Sequence, residues 1–178
     1  MARYALLLRG INVGGNKKIA MADLRELLGE LGFTDVSTLL QSGNAIVTSN
    51  LSAARTAALT EKGIVDAFGM KVRVLALTGA QLQKVIDAHP LADVADNGSR
   101  MFALFLFEKL DPARLSTHDP ASLEPGRVHV GHGVVYHWCP DGVLQAADVA
   151  GYLTKHHKAT VTSRNWNTVA KLSALVNG

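Results

Sequence analysis

The chain has 178 residues, of which 48% are hydrophobic and 19% are charged, and its 18 Lys+Arg against 15 Asp+Glu give a formal net charge of +3. The apolar fraction excludes a disordered chain, and only 16 Gly and 5 Pro exclude a collagen-like or low-complexity one. The length suits one domain or two small, closely packed ones, with a core that needs no metal or disulfide.

The sequence also bears on the compartment. Cys139 is the single cysteine, so no internal disulfide forms and nothing indicates an oxidising environment. The apolar run at residues 4–8 is shorter than the roughly 7 residues of a signal-peptide core. No stretch approaches the ~18 apolar residues of a membrane span. We therefore expect a cytoplasmic protein without membrane contact.

The first half of the chain predicts the order strand, helix, strand, strand, helix, strand. Hydrophobic periodicity separates helices from strands, and Ser42 with Gly43 favours a hairpin turn between the two middle strands. The predicted bounds are residues 3–8, 21–31, 36–40, 45–48, 52–68 and 71–77. This order is that of a ferredoxin-like split unit.

The second half predicts the same order again. A helix capped by Thr78 and ended by Pro90 comes first, and the polar residues 91–100 indicate a linker. The elements that follow are a strand at 101–107, a helix beginning at Asp111-Pro112, strands at 127–130 and 134–139, a helix at 145–153, a strand at 159–162 and a last helix capped by Ser163. We expect an α+β fold of two fused ferredoxin-like βαββαβ units, each followed by a helix, at residues 1–90 and 100–178.

A glycine-rich loop between the first strand and the first helix is the first candidate binding segment. Its sequence, RGINVGGNKK at residues 9–18, combines glycines that free the backbone N–H groups with flanking cations. Gly10 and Gly15 have P-loop spacing, but the residues after them are Asn16 and Lys17 rather than Lys and Ser or Thr. The loop therefore predicts either an anion cradle or a tight structural turn with solvated lysines.

Two further polar segments could contribute. In QSGN at residues 41–44, the Gln41 and Asn44 amides bind a ligand only if they do not cap their own backbone. At residues 162–172, a predicted helix start places Arg164 in a first turn, where unpaired N–H groups suit an anion. Arg164 could equally be a structural tether, and we expect Trp166 to belong to the core because it shares a helix face with Val169.

The histidines invite a metal hypothesis. His129, His132 and His137 lie with Cys139 inside residues 129–139. With a turn at residues 131–133, His129 and His137 would share one face of a hairpin as diagonal neighbours. The spacing matches no fixed zinc-ligand pattern, so we expect a solvated face and no metal. No G-x-S-x-G motif is present, and the sequence identifies no catalytic residue, cofactor or reaction.

Taken together, the three polar segments resemble a bacterial family known as domain of unknown function 1697. The resemblance spans nearly the whole chain and is carried by RGINVGGN at residues 9–16, Met21, Leu24-Arg25, QSGN at 41–44, RNWNTV at 164–169 and Lys171-Leu172. It implies a tandem ferredoxin-like α+β fold. It implies no established activity, cofactor or partner.

Our leading hypothesis from the sequence is that these segments meet in a cleft between the two halves and bind a small anionic, phosphorylated or nucleotide-like ligand. Whether the protein also processes that ligand is left open. The expected ligand-binding residues are Arg9, Asn12, Gly14, Gly15, Asn16, Lys17, Gln41, Ser42, Asn44, Arg164, Asn165 and Lys171. One alternative is a nucleic-acid-binding module that uses the basic charge. Another is a structural or protein-interaction role in which Arg164 and Asn165 only lock the halves together.

Overall fold

The computed structural model describes residues 1–178 as an α+β protein with two four-stranded antiparallel sheets and six α-helices. The chain divides into two compact units. The first comprises Met1–Gln83 together with Lys171–Gly178, and the second comprises Lys84–Ala170. None of the helices is long and apolar enough to cross a lipid bilayer.

The first unit contains the predicted order of elements. These are β1 (Ala2–Leu8), α1 (Met21–Glu30), β2 (Thr34–Thr38), β3 (Asn44–Ser49), α2 (Ala53–Phe68), β4 (Val74–Thr78) and the first residues of α3 (Gly79–Asp87). The strands form one sheet in the order β2-β3-β1-β4, with every neighbouring pair antiparallel. Leu6, Leu24, Leu28 and Ile64 are fully buried in its core. The loops at the ends of β1 and β2 are therefore held by a packed sheet.

Local capping chemistry sets the helix ends of this unit. The Ser52 side chain accepts a hydrogen bond from the N–H of Arg55 at the start of α2, and Gly69 ends that helix with φ +68°. Thr78 and Gln81 cap α3 reciprocally, because each side chain accepts the other residue's backbone N–H. The prediction that Thr78 caps a helix is confirmed.

The second unit repeats this arrangement. Its elements are β5 (Met101–Leu106), α4 (Pro112–Thr117), β6 (Val128–Val130), β7 (Val134–Trp138), α5 (Val149–His157), β8 (Val161–Asn165) and the first residues of α6 (Trp166–Asn177). The sheet order is β6-β7-β5-β8, again with antiparallel neighbours. Leu104, Val135, Val149 and Leu153 form part of the core on one sheet face.

Near the end of the second unit, the predicted bounds were wrong. The helix expected at residues 145–153 begins at Val149, because the Asp148 carboxylate accepts the N–H of Gly151. The following strand, predicted at 159–162, begins at Val161 and runs to Asn165, so it includes Ser163. Asn165, rather than Ser163, caps α6 by accepting the N–H of Thr168.

The predicted faces of the β6–β7 hairpin were also wrong. Val130 pairs with Val135 rather than with Val134, so four residues instead of three separate the last paired positions of the hairpin. That one-residue difference moves β6 relative to β7: His129 pairs with Tyr136, and His137 pairs with Val128. The two histidines therefore lie on opposite faces, and no group of three or more His, Cys, Asp or Glu is arranged to hold a metal ion.

Candidate functional site

Asn12 connects the first two predicted binding segments. Its Nδ2 donates to the carbonyl of Ile19 (2.8 Å) and to the carbonyl of Gln41 (2.7 Å), while its Oδ1 accepts the N–H of Ile19 (3.0 Å). A side-chain amide has two N–H donors, so both are used. The glycine-rich loop and the 41–44 turn are thus brought together at one edge of the first unit.

The tip of the glycine-rich loop projects beyond this attachment. The backbone N–H of Asn12 donates to the carbonyl of Lys17, which closes the loop at its base. Gly10, Asn12 and Gly14 have φ values of +74°, +55° and +79°, a conformation that turns successive peptide groups toward one side. Residues 13–16 are exposed, and their N–H groups donate to no acceptor within the chain. These amides are available to an anion.

The 41–44 turn divides into structural and exposed parts. Asn44 is fully buried, and its Nδ2 donates to the carbonyl of Leu39 (2.9 Å) and to Ser42 Oγ (3.2 Å). Gly43 has φ +98°, and a Cβ there would lie 2.9 Å from Ile11 Cγ1. Gln41 is exposed. Asn44 and Ser42 therefore shape the turn, and Gln41 is the side chain of this segment that faces solvent.

Two cations that the sequence analysis did not select lie beside the loop. The Lys17 ammonium donates to the carbonyl of Lys71 (2.6 Å), and the N–H of Arg9 donates to the carbonyl of Arg73 (2.9 Å). Both Lys71 and Arg73 are exposed and directly precede β4. The alternation of charged and apolar residues from position 71 predicted a strand there. It did not show that this strand begins beside the glycine-rich loop.

The third predicted segment belongs mainly to the second unit. Arg164 lies in β8, is only 7% exposed, and donates from Nη1 to Thr162 Oγ1 (2.7 Å) and to the Ser163 carbonyl (2.8 Å). Burial lowers the pKa of its guanidinium to about 10. Asn165 caps α6, and Lys171 is an exposed residue of that helix. Arg164 thus lies buried in β8, two residues before α6, and not in a helix first turn.

The resulting surface has a consistent electrostatic character. Arg9, Lys17, Lys18, Lys71 and Arg73 are exposed cations carried by the loop and by the approach to β4. Cations together with unused backbone N–H groups favour an anion, and phosphate oxygens accept from both kinds of donor. We call the glycine-rich loop, the 41–44 turn and residues 71–73 the basic edge of the first unit.

Comparisons with known proteins agree with the resemblance stated above. A family model described as "Protein of unknown function (DUF1697)" matches residues 1–136. A search of the curated proteins found no match. Among solved structures, the chain is similar to the conserved bacterial protein SP0830 from Streptococcus pneumoniae, with 28% sequence identity, 98% of each chain covered and a TM-score of 0.72.

The fold and the basic edge define an α+β protein with two four-stranded antiparallel sheets and a cation-rich loop surface. More particularly, the match over residues 1–136 shows that the chain belongs to the DUF1697 family, as its motifs predicted.

Proposed function

We propose that the first unit binds a phosphate-bearing anion at the basic edge. The proposal rests on the hydrogen bonds of the Asn12 side chain, whose amide N–H groups and oxygen hold two polar loops together. Five exposed cations lie beside these loops. A loop held in place in advance loses little conformational entropy when a ligand binds.

The proposal gives the predicted residues different tasks. Arg9, Lys17 and Lys18 supply charge, with Lys71 and Arg73 beside them. Gly14, Gly15 and Asn16 supply backbone N–H groups, and Gln41 supplies an exposed amide. Asn12, Ser42 and Asn44 hold the loops in position. Arg164 and Asn165, which stabilise elements of the second unit, are outside this proposal.

We also infer that each half has ferredoxin-like topology. In both sheets the first strand of the half is central, flanked by the third and the fourth, with the second at an edge beside the third. A helix follows the first and the third strand of each half. These features agree with the βαββαβ pattern that the sequence predicts.

Calorimetric titration with inorganic pyrophosphate tests the binding proposal. We expect the Lys17→Gln/Lys18→Gln protein to bind pyrophosphate at least about tenfold more weakly than wild type, because two cations near the ligand are lost. The matched control is Lys155→Gln/Lys158→Gln, which changes net charge equally in the second unit. Equal weakening in both variants would indicate non-specific charge attraction and overturn the proposal, as would absence of pyrophosphate binding by wild type.

A single-stranded nucleic acid is the second candidate, favoured by the number of cations. Five positive side chains exceed what one phosphate group needs, and they lie on an exposed edge. For this ligand, affinity for oligothymidylate should increase with length and fall steeply with salt, since each phosphate contact releases counterions. A single nucleotide binding as tightly as a ten-residue oligomer would instead identify a small-molecule site.

A further inference from the structure

The second unit contains a cavity of about 190 Å³ that none of the predicted motifs anticipates. It lies on the helix-covered face of the sheet, with Phe102 and Leu104 of β5 and His137 of β7 along one side. The start of α5, at Val149 and Ala150, lines the other side. The cavity is within the second unit and is independent of the basic edge.

His137 is the polar side chain that distinguishes this cavity. The residue is only 5% exposed, and its Nε2 lies 2.9 Å from Glu124 Oε1. The same carboxylate oxygen accepts the N–H of Ala147 at 2.7 Å, and Arg127 lies 3.7 Å from Glu124 Oε2. Glu124 therefore fixes the orientation of the imidazole and attaches it to the segment that leads into α5.

The pairing with Glu124 determines which nitrogen of His137 carries the proton. Burial disfavours the charged form of Glu124, but the N–H of Ala147, His137 and Arg127 outweigh that effect and hold the pKa of the carboxyl below its usual value. An ionised carboxylate only accepts hydrogen bonds, so Nε2 is the donor. In the neutral imidazole, Nδ1 then carries a lone pair.

Nδ1 of His137 has no hydrogen-bond partner in the chain. His137 lines the cavity, and this nitrogen is not among the polar atoms that are both unpaired and sealed from solvent. Because no group of the chain satisfies Nδ1, its remaining partner is whatever occupies the cavity. The cavity therefore offers this acceptor beside the apolar side chains of Phe102 and Leu104, and its other polar lining residues are Asp148 and Ser163.

The charges around the cavity argue against an anionic ligand. Glu124 lies behind His137, and the Asp148 carboxylate lines the cavity while capping α5. Two carboxylates disfavour an anion at this position. Val143, which lines the cavity, is 55% exposed, and the next residue in the chain, Leu144, is 95% exposed. Exposed aliphatic side chains of this kind are suited to contact with an apolar ligand body.

We propose that this cavity binds a small neutral alcohol or phenol, whose hydroxyl donates a hydrogen bond to Nδ1 of His137 and whose apolar part contacts Phe102 and Leu104. The hydroxyl supplies the donor that His137 lacks.

Phenol is the probe, and toluene is its control because a methyl group replaces the hydroxyl. In ¹⁵N-labelled protein we expect phenol to shift the Nδ1 resonance of His137, and toluene to leave it nearly unchanged. Replacing His137 by Phe keeps an aromatic ring and removes the acceptor. His137→Phe should weaken phenol binding about fivefold or more, the worth of one hydrogen bond, and leave toluene affinity unchanged.

His129→Phe is the matched control on the opposite face of the same hairpin and should not alter phenol binding. If His137→Phe fails to fold, the resonance shift in wild-type protein still decides the question, together with Glu124→Gln, which should weaken phenol binding by making Nδ1 a poorer acceptor. Phenol and toluene that bind equally, no phenol binding, or shifts confined to residues outside the cavity would each overturn the proposal.

Discussion

The Asn12 side chain bonds to both backbone groups of Ile19: Oδ1 of Asn12 accepts the N–H of Ile19, and Nδ2 donates to the carbonyl of Ile19. At the base of the glycine-rich loop, the Asn12 amide thus makes the two hydrogen bonds to Ile19 that the backbone of a paired strand would otherwise make. The remaining Nδ2 hydrogen reaches the carbonyl of Gln41, so one residue stabilises two loops.

Replacing Asn12 by Ala should therefore destabilise the first unit. The change removes three hydrogen bonds from a half-buried position, and we expect the free energy of unfolding to fall by about 1–3 kcal/mol. Urea denaturation measures this loss. Asn16→Ala, at the exposed tip of the same loop, is the control and should change stability by less than about 0.5 kcal/mol. Similar values for the two variants would contradict the anchoring role of Asn12.

Substitutions at Gly43 and Gly14 should have different costs, because one position has steric overlap in addition to backbone strain and the other has backbone strain alone. Both have positive φ, +98° and +79°, but a Cβ at Gly43 meets Ile11 and Leu8, whereas a Cβ at Gly14 meets nothing. Gly14→Ala should cost only the backbone penalty of about 1 kcal/mol. Gly43→Ala adds overpacking and should cost about 1–3 kcal/mol more. Equal losses in thermal unfolding would show that the Ile11 contact is easily relieved.

The Glu124 carboxyl gives the second unit a defined dependence on pH. Because its pKa is lower in the folded state, its contribution is complete above the unfolded value near 4.5 and is lost as pH falls through the folded pKa. The groups around it are His137, Arg127 and Cys139. Glu124→Gln should cost about 1–2 kcal/mol near neutral pH.

Urea denaturation across the acid range checks this prediction. The stability difference between wild type and Glu124→Gln should shrink as pH decreases below the ordinary glutamate range, since both side chains are then uncharged. A difference that stays constant with pH would mean that Glu124 acts through packing rather than charge.

Cys139 should be a slow nucleophile. Burial, with a smaller contribution from Glu124, raises the pKa of its thiol from 9.0 to about 11. That shift lowers the thiolate fraction about a hundredfold near pH 8, and the thiolate is the reactive form. Because Cys139 is the only cysteine, alkylation by iodoacetamide reports on it alone. Native and urea-unfolded protein that react at similar rates would refute this expectation.

Arg164 should affect stability without affecting anion binding. Arg164→Ala leaves the Thr162 hydroxyl and the Ser163 carbonyl without this donor and creates a cavity, so we expect a loss of about 2–4 kcal/mol in the free energy of unfolding. Pyrophosphate affinity should be unchanged. Arg114→Ala is the control, because exposed Arg114 also donates to a carbonyl, that of His156. A loss of pyrophosphate binding in Arg164→Ala alone would return Arg164 to the binding residues.

Elements whose ends depend on local chemistry were predicted well from the sequence. The caps at Ser52, Gly69 and Thr78 act on residues within one turn, so sequence spacing contains the required information. The helix predicted at 145–153 began four residues before α5, because residues 143–145 form a short 3₁₀ turn and Ala146 is extended before the Asp148 cap. The spacing of apolar residues does not distinguish such a turn from the first turn of an α-helix, since tertiary packing decides between them.

Which residues come together at the basic edge and at the second-unit cavity depends on contacts between distant parts of the chain, so it was harder to predict than the ends of the helices. Arg73 joins the basic edge because the N–H of Arg9 donates to its carbonyl just before the start of β4, more than sixty residues along the chain. Glu124 and His137 meet only after β6 and β7 adopt a register that shifts one residue from the expected one. The glycine-rich loop could be identified as a candidate binding segment from its residues alone. The cations that lie beside it and the second-unit cavity could not be identified in this way.

The first unit contains Lys171–Gly178 in addition to Met1–Gln83, and Asn177 donates to the Gly79 carbonyl within it. A ribosome therefore releases every residue of the second unit before it delivers the last segment of the first. All four strands of the first sheet are thus made early, whereas the last turns of α6 reach that unit through contacts such as Asn177 to Gly79, 98 residues apart along the chain, so its packing is completed by a slow, long-range step of folding.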